Sequence, residues 1–221
     1  MTPTISVKEC ISNGWTTFKT RPWFFVQAGA IIAGITIVIG MVEDALQIVT
    51  GESVMRVVTS VESLVTTTLF SIGTTALYLT AHRNSQDASF GQLWNPAPFW
   101  RYLGITLIGG FLTILGLILL IVPGIIIAIA FSFSGILVVE KGMGPIAALK
   151  ESVRLTRGHR MELFKLGLAS LGINILGVLA LLVGLFVTIP LTSIAFIHAY
   201  RVIAGKEVEE LTIVPEPAIA A

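Results

Sequence analysis

Four stretches of this chain carry no charged residue: Pro22–Val42, Ser63–Ala81, Tyr102–Val139 and Leu166–Tyr200, of 21, 19, 38 and 35 residues. A bilayer core is crossed by about 20 apolar residues in a helix, because in hydrocarbon every backbone amide must find its partner within the segment. The first two runs suit one crossing each. The last two are nearly twice too long, and each holds a breaker near its middle: Pro123-Gly124 in one, and Gly184, with Pro190 further on, in the other. The chain therefore reads as six spans of about 22–42, 61–82, 102–122, 125–140, 162–183 and 185–204.

The basic residues test this count independently. Of 14 Lys and Arg residues, all except Arg56 fall in alternate gaps. Lys8, Lys19 and Arg21 precede the first span, and Arg83 and Arg101 separate the second from the third. Lys141, Lys150, Arg154, Arg157, Arg160 and Lys165 lie between or just inside the fourth and fifth, and Arg201 and Lys206 lie at the end of the sixth or beyond. They share one side only if both long runs are hairpins. Short cytoplasmic loops hold the Lys and Arg excess, so both termini are expected in the cytoplasm. The other side receives an acidic loop with Glu43, Asp44, Glu52 and Glu62, and two short turns. Trp15, Trp23, Trp94, Trp100, Tyr78, Tyr102 and Tyr200 map to the basic side too, where amphipathic rings favour the headgroup layer.

Composition agrees: 54% hydrophobic and 12% charged residues leave too little polar surface for a soluble domain of 221 residues. No basic stripe interleaved with aromatics is present, so nucleic acid is not an expected partner. Cys10 is the single cysteine, which rules out an internal disulfide and suits a reducing compartment.

Two stretches outside the spans are amphipathic. Ser6 and Glu9 stand at capping-box spacing, predicting a helix over residues 6–20. Val7, Ile11, Trp15 and Phe18 share one of its faces, so residues 1–21 are expected to form an interfacial helix lying in the membrane surface or packing on the bundle ends. Pro145–Arg157 forms the second, with Pro145 in its first turn, Gly158 just past its end, and Leu149, Val153 and Thr156 as its stripe. The fold class is thus an all-α membrane bundle of six transmembrane helices with two cytoplasmic amphipathic helices. Residues 205–221, with Glu207, Glu209, Glu210 and Pro215-Glu216-Pro217, read as a disordered tail.

Signals for chemistry are few. No nucleophile elbow, phosphate-cradling glycine loop or zinc-protease helix occurs, and His82, His159 and His198 are too dispersed for a metal site, so no enzyme, metal or cofactor is expected. Inside the spans His198 is the one clearly ionisable group, either packing near the interface or relaying protons. Asn174 stands near the midplane, suited to an interhelical hydrogen bond or a substrate contact. Thr66, Thr67, Thr68, Ser71, Thr74 and Thr75 make the second span the most polar. Lys150, Arg154, Arg157, Arg160 and Lys165 form a juxtamembrane cluster that either fixes topology or binds anionic headgroups, each positive charge attracting them by about 1 kcal/mol. In the first span Gly29 with Ala33 and Ala30 with Gly34 give small residues at four-residue spacing, which favours close helix contact.

The segment Ser6–Trp23, with Gly14-Trp15, Phe18-Lys19 and Pro22-Trp23, resembles a broad group of bacterial multi-pass proteins. So do Ala148-Leu149, Ser152, Leu155-Thr156, Gly158 and Leu163-Phe164, and the closing Pro190, Ala195 and Tyr200-Arg201. The group includes the membrane domain attached to some glycerophosphoryl diester phosphodiesterases and related domains of unknown function. The resemblance implies a bacterial inner-membrane protein. It transfers no functional residue, because the catalytic barrel has no counterpart here. The expected role is a non-enzymatic scaffold or accessory protein that works at the cytoplasmic face through anionic membrane lipid and a membrane or cytoplasmic protein partner. The alternative is a small transporter or channel for a lipid or neutral solute.

Overall fold

The computed structural model describes residues 6–50, 52–94, 96–180 and 183–213, with side chains over 6–46, 58–94, 96–180 and 183–205. Over the described residues the protein is all-α, 87% helix, with no strand. Its helices are α1 Val7–Thr20, α2 Pro22–Thr50, α3 Glu52–Arg83, α4 Phe99–Leu119, α5 Ile121–Ala130, α6 Ser134–Lys141, α7 Pro145–Thr156, α8 Arg160–Leu179 and α9 Leu185–Ile213, with a 3-10 turn at Phe90–Trp94. Among the described residues six segments are long and apolar enough to cross a membrane: Pro22–Leu46, Val58–Arg83, Phe99–Leu119, Ile121–Lys141, Arg160–Leu179 and Leu185–Gly205. This is the architecture of a multi-pass membrane protein.

Both long uncharged runs fold back as hairpins. Between α4 and α5 the break falls on Leu120, whose φ of −163° and ψ of 144° interrupt the helix for a single residue. It precedes Pro123-Gly124 rather than coinciding with it. Proline is tolerated in the first helical turn, where its missing N–H has no partner to lose, so the helix starts ahead of it. Gly124 then lets the two helices touch, since a Cβ there would lie 2.4 Å from Leu117 Cγ. The second run breaks where Gly184 predicts, with α9 beginning at Leu185 and a Cβ on Gly184 falling 2.7 Å from Gly177 Cα.

The fourth span differs from a plain helix. Phe131–Phe133 interrupt it, leaving α5 and α6 as separate pieces. No Pro or Gly causes this break. Ser152 of α7 holds it open, its hydroxyl donating to Ala130 O at 2.7 Å and accepting from Phe133 N at 3.1 Å. Ser152 is fully buried, as are Ala148 and Thr156 on the same face. The second amphipathic stretch therefore packs one face on α4, α5 and α6, while Ile146, Lys150 and Arg154 are exposed.

The first amphipathic helix behaves similarly. Ser6 caps it, its hydroxyl accepting from Glu9 N at 3.4 Å. Its buried residues are Cys10, Gly14 and Phe18, with Val7 and Ile11 partly buried against the same core, whereas Trp15 is 43% exposed. Gly14 is the contact point: a Cβ there would stand 2.4 Å from Leu191 O of α9. α1 thus packs on the bundle through this face.

One further expectation is corrected. The acidic loop after the first span is largely helix, because α2 continues to Thr50 and α3 begins at Glu52, so Glu43, Asp44 and Glu62 sit on helix ends. Of the segment 205–221, α9 takes in the residues up to Ile213, and residues 214–221 lie outside the described residues. Gly29 of the small-residue pairs accommodates Phe186 of α9, which a Cβ would meet at 2.8 Å, while Gly34 has open space around it.

Basic residues from alternate gaps meet at one end. Arg21 donates to Ser85 O at 3.0 Å and Ala88 O at 3.1 Å, and Arg101 donates to Gly142 O at 2.7 Å. Glu140 pairs with Arg201 at 2.5 Å and Arg83 at 3.7 Å. Such convergence requires an even number of crossings in each hairpin, as the charge census demands. The interior is densest toward this end, where Phe25, Leu77, Phe133, Leu137, Val138, Leu166, Ile194 and Tyr200 are almost wholly buried. Ile37, Val38, Met41 and Val42 of α2, and Ile114, Ile118 and Leu119 of α4, are instead exposed. A contiguous apolar surface of this extent marks contact with a membrane or another apolar partner.

Candidate functional site

At the basic end α3 and α9 bring two histidines together, His82 Nε2 lying 3.1 Å from His198 Nδ1. One ring donates and the other accepts, so the accepting nitrogen is unprotonated and the bond reverses if both rings change tautomer. His198 was legible as an intramembrane ionisable group. His82 was not, because it ends its own span and becomes significant only through a residue 116 positions away.

His198 also lines an open cavity of about 590 Å³ with Lys8, Glu9, Ser12, Asn13 and Thr16 of α1. Asn13 Oδ1 is buried there with no hydrogen-bond partner among the described residues. α1 thus supplies both signs of charge and two hydroxyls opposite the imidazoles. Beside them Glu140 gathers Arg83, Arg201 and the Tyr200 hydroxyl, which fixes the ends of α3, α6 and α9 relative to one another. The groove can hold and exchange hydrogen bonds. Cys10 of the same helix is buried, and burial pushes its thiol up to about 11. Among the described residues no group of three or more His, Cys, Asp or Glu side chains could hold a metal ion.

Asn174 does not join this groove. Its amide nitrogen donates to Thr192 Oγ1 at 3.4 Å across α8 and α9, and its Oδ1 is buried without a partner. The five basic residues separate by role. Arg154 makes bonds of 2.9 and 2.7 Å to Glu151 within α7, and that guanidinium holds the Glu151 carboxyl below its ordinary value. Lys150, Arg157 and Lys165 are exposed, while Arg160 is half-buried at the start of α8. Sequence spacing exposed the cluster but not this internal pairing, which lowers its effective positive charge.

Two uncharacterized proteins, one from Mycobacterium tuberculosis (strain ATCC 25618 / H37Rv) and one from Mycobacterium bovis (strain ATCC BAA-935 / AF2122/97), are each 28% identical to the chain over 114 residues. The match covers 50% of this chain and 35% of each relative, so the chain spans about a third of their length. No solved structure matches. The family described as "Protein of unknown function (DUF975)" matches residues 4–207, and the chain, with its six apolar helices, belongs to that family.

Proposed function

We propose that this protein is a non-enzymatic scaffold or accessory protein of a bacterial inner membrane, with both termini in the cytoplasm. It acts through its basic face, which contacts anionic lipid and an inner-face or membrane protein partner. The observation that carries this reading is the rigid mounting of the exposed cations. Lys150 lies midway along α7 and Arg157 just past its end, on a helix whose other face, Ala148, Ser152 and Thr156, is fully buried, so both cations are mounted on a packed element. Lys and Arg excess at this end supports its cytoplasmic placement. Asn174 and His198, the two groups a transport path would be expected to use, are held by different partners, Thr192 and His82.

The test is flotation of the purified protein, in neutral micelles, with vesicles of phosphatidylcholine alone or with phosphatidylglycerol added. Each exposed cation attracts an anionic surface by about 1 kcal/mol. Replacing Lys150, Arg157 and Lys165 together with Gln is therefore expected to weaken the preference for anionic vesicles by roughly 100-fold at low salt. Unchanged preference in the triple variant refutes lipid contact through this face.

A further inference from the structure

The break between α5 and α6 opens onto a second cavity, of about 300 Å³, that is separate from the basic face. Thr75 of α3, Tyr102, Ile105 and Thr106 of α4, and Phe131, Ser132, Ser134, Gly135 and Ile136 around the break line it. Five of these carry hydroxyls and none carries a charge, an uncommon lining within membrane-spanning helices. Most of the hydroxyl protons are already committed. Thr75 Oγ1 donates to Ser71 O at 2.6 Å, Thr106 Oγ1 to Tyr102 O at 3.1 Å, and Ser134 Oγ to Phe131 O at 2.7 Å. A hydroxyl has one proton and two lone pairs, so what these groups still offer is mainly acceptors. Gly135 is needed for the space, since a Cβ there would stand 2.9 Å from Tyr102 Oη.

We propose that this cavity binds the uncharged, hydroxyl-bearing head of a membrane-borne amphiphile. Free acceptors without a carboxylate select a neutral donor, and an O–H group satisfies them while an ion would lose its hydration uncompensated. The mouth fixes the source. Thr106 at the rim is exposed and is followed on α4 by the exposed apolar Leu107, Ile108 and Phe111, so the opening lies on the lipid-facing flank. It stands seven residues into α4, about 10 Å from the helix start, within reach of an amphiphile seated in one leaflet. The site is also built in advance: the buried Ser152 hydroxyl keeps the break open without any ligand.

The experiment uses the full chain in nanodiscs of phosphatidylcholine doped with monogalactosyl diacylglycerol, a neutral sugar-headed lipid, with retained lipid counted by native mass spectrometry. The wild-type protein is expected to enrich the glycolipid over phosphatidylcholine. Thr106→Val, which keeps shape and removes one acceptor, is expected to reduce that enrichment about five-fold, the factor of one neutral hydrogen bond. Gly135→Ala is expected to abolish it by filling the cavity, and Thr106→Ser to restore it. Circular dichroism identical to wild type confirms that each variant is folded. Three outcomes overturn the proposal: no enrichment, enrichment that Thr106→Val and Gly135→Ala leave intact, or displacement by free galactose at concentrations comparable to the lipid, which would make the ligand a soluble solute.

Discussion

Ser152→Ala tests how the fourth span is built. The hydroxyl bridges two backbone groups that the break leaves without helical partners, Phe133 N–H at 3.1 Å and Ala130 C=O at 2.7 Å, and Ser152 is 0% exposed. Stranding a buried polar group costs about 1–3 kcal/mol, so both together set an upper range of about 2–6 kcal/mol. Side-chain hydrogen bonds between membrane helices average only about 0.6 kcal/mol, because the alternative state finds other partners. Here the alternative is closure of the break into one helix, in which Phe133 N–H would reach Ile129 C=O. That would drag Phe131 and Phe133 out of register, and Phe133 is fully buried against Tyr200 with ring centroids 5.6 Å apart. The expected loss is therefore about 3 kcal/mol, above the interhelical average and within the range for two stranded groups. Titration of the purified protein from neutral micelles into sodium dodecyl sulfate, followed by circular dichroism, measures it. Ser134→Ala is the control, since that hydroxyl bonds only within its own turn, to Phe131 O, and should cost under about 1 kcal/mol. A Ser152→Ala protein within about 0.5 kcal/mol of wild type, the range of an inconsequential substitution, would show that the break belongs to Phe131–Phe133 alone and that α7 merely covers it.

Cys10 is expected to resist maleimide at pH 7, being 1% exposed with its thiol pushed up to about 11. Native protein holds that proton more tightly than unfolded chain, so this contribution to stability is complete below pH 9 and is lost as pH rises from there toward 11. Gly14→Val, by forcing a side chain against Leu191 O, should lift α1 from α9 and speed Cys10 labelling at least ten-fold; unchanged labelling would contradict the close approach at Gly14. Gly184→Ala should cost more than 2 kcal/mol, about the scale of a core overpacking error, because its Cβ meets Gly177 backbone. Gly172→Ala, with open space around it, should be neutral or slightly stabilising in the same titration, and equal effects at both would refute the packing account of the α8–α9 turn.

What the sequence disclosed and what it hid divide along a physical line. Span number and the common end of the basic residues were legible because burial in lipid and charge placement act on each segment separately. Element ends shifted where local signals compete: Pro123 marks a helix start as readily as a stop, and the break moved to Leu120. The acidic stretch looked like a loop, yet Glu43, Asp44 and Glu62 extend helices that outrun their apolar runs. The interruption at Phe131–Phe133 could not be read, since a serine 19 positions beyond Phe133 maintains it. The site divides likewise: His198 stood out alone, whereas its pairing with His82 and the neutralisation of Arg154 by Glu151 are products of the assembled fold.

The seating of α1 on α9 bears on how the molecule is made. Gly14 and Cys10 enter the membrane system early, but Leu191 and Ala195, against which that helix closes, emerge roughly 180 residues later, about 10–40 s at ordinary rates of synthesis. During that interval the Cys10, Gly14 and Phe18 face has no permanent cover. α9 thus acts as a latch on α1, and insertion faults in α9 should surface as protease sensitivity in α1.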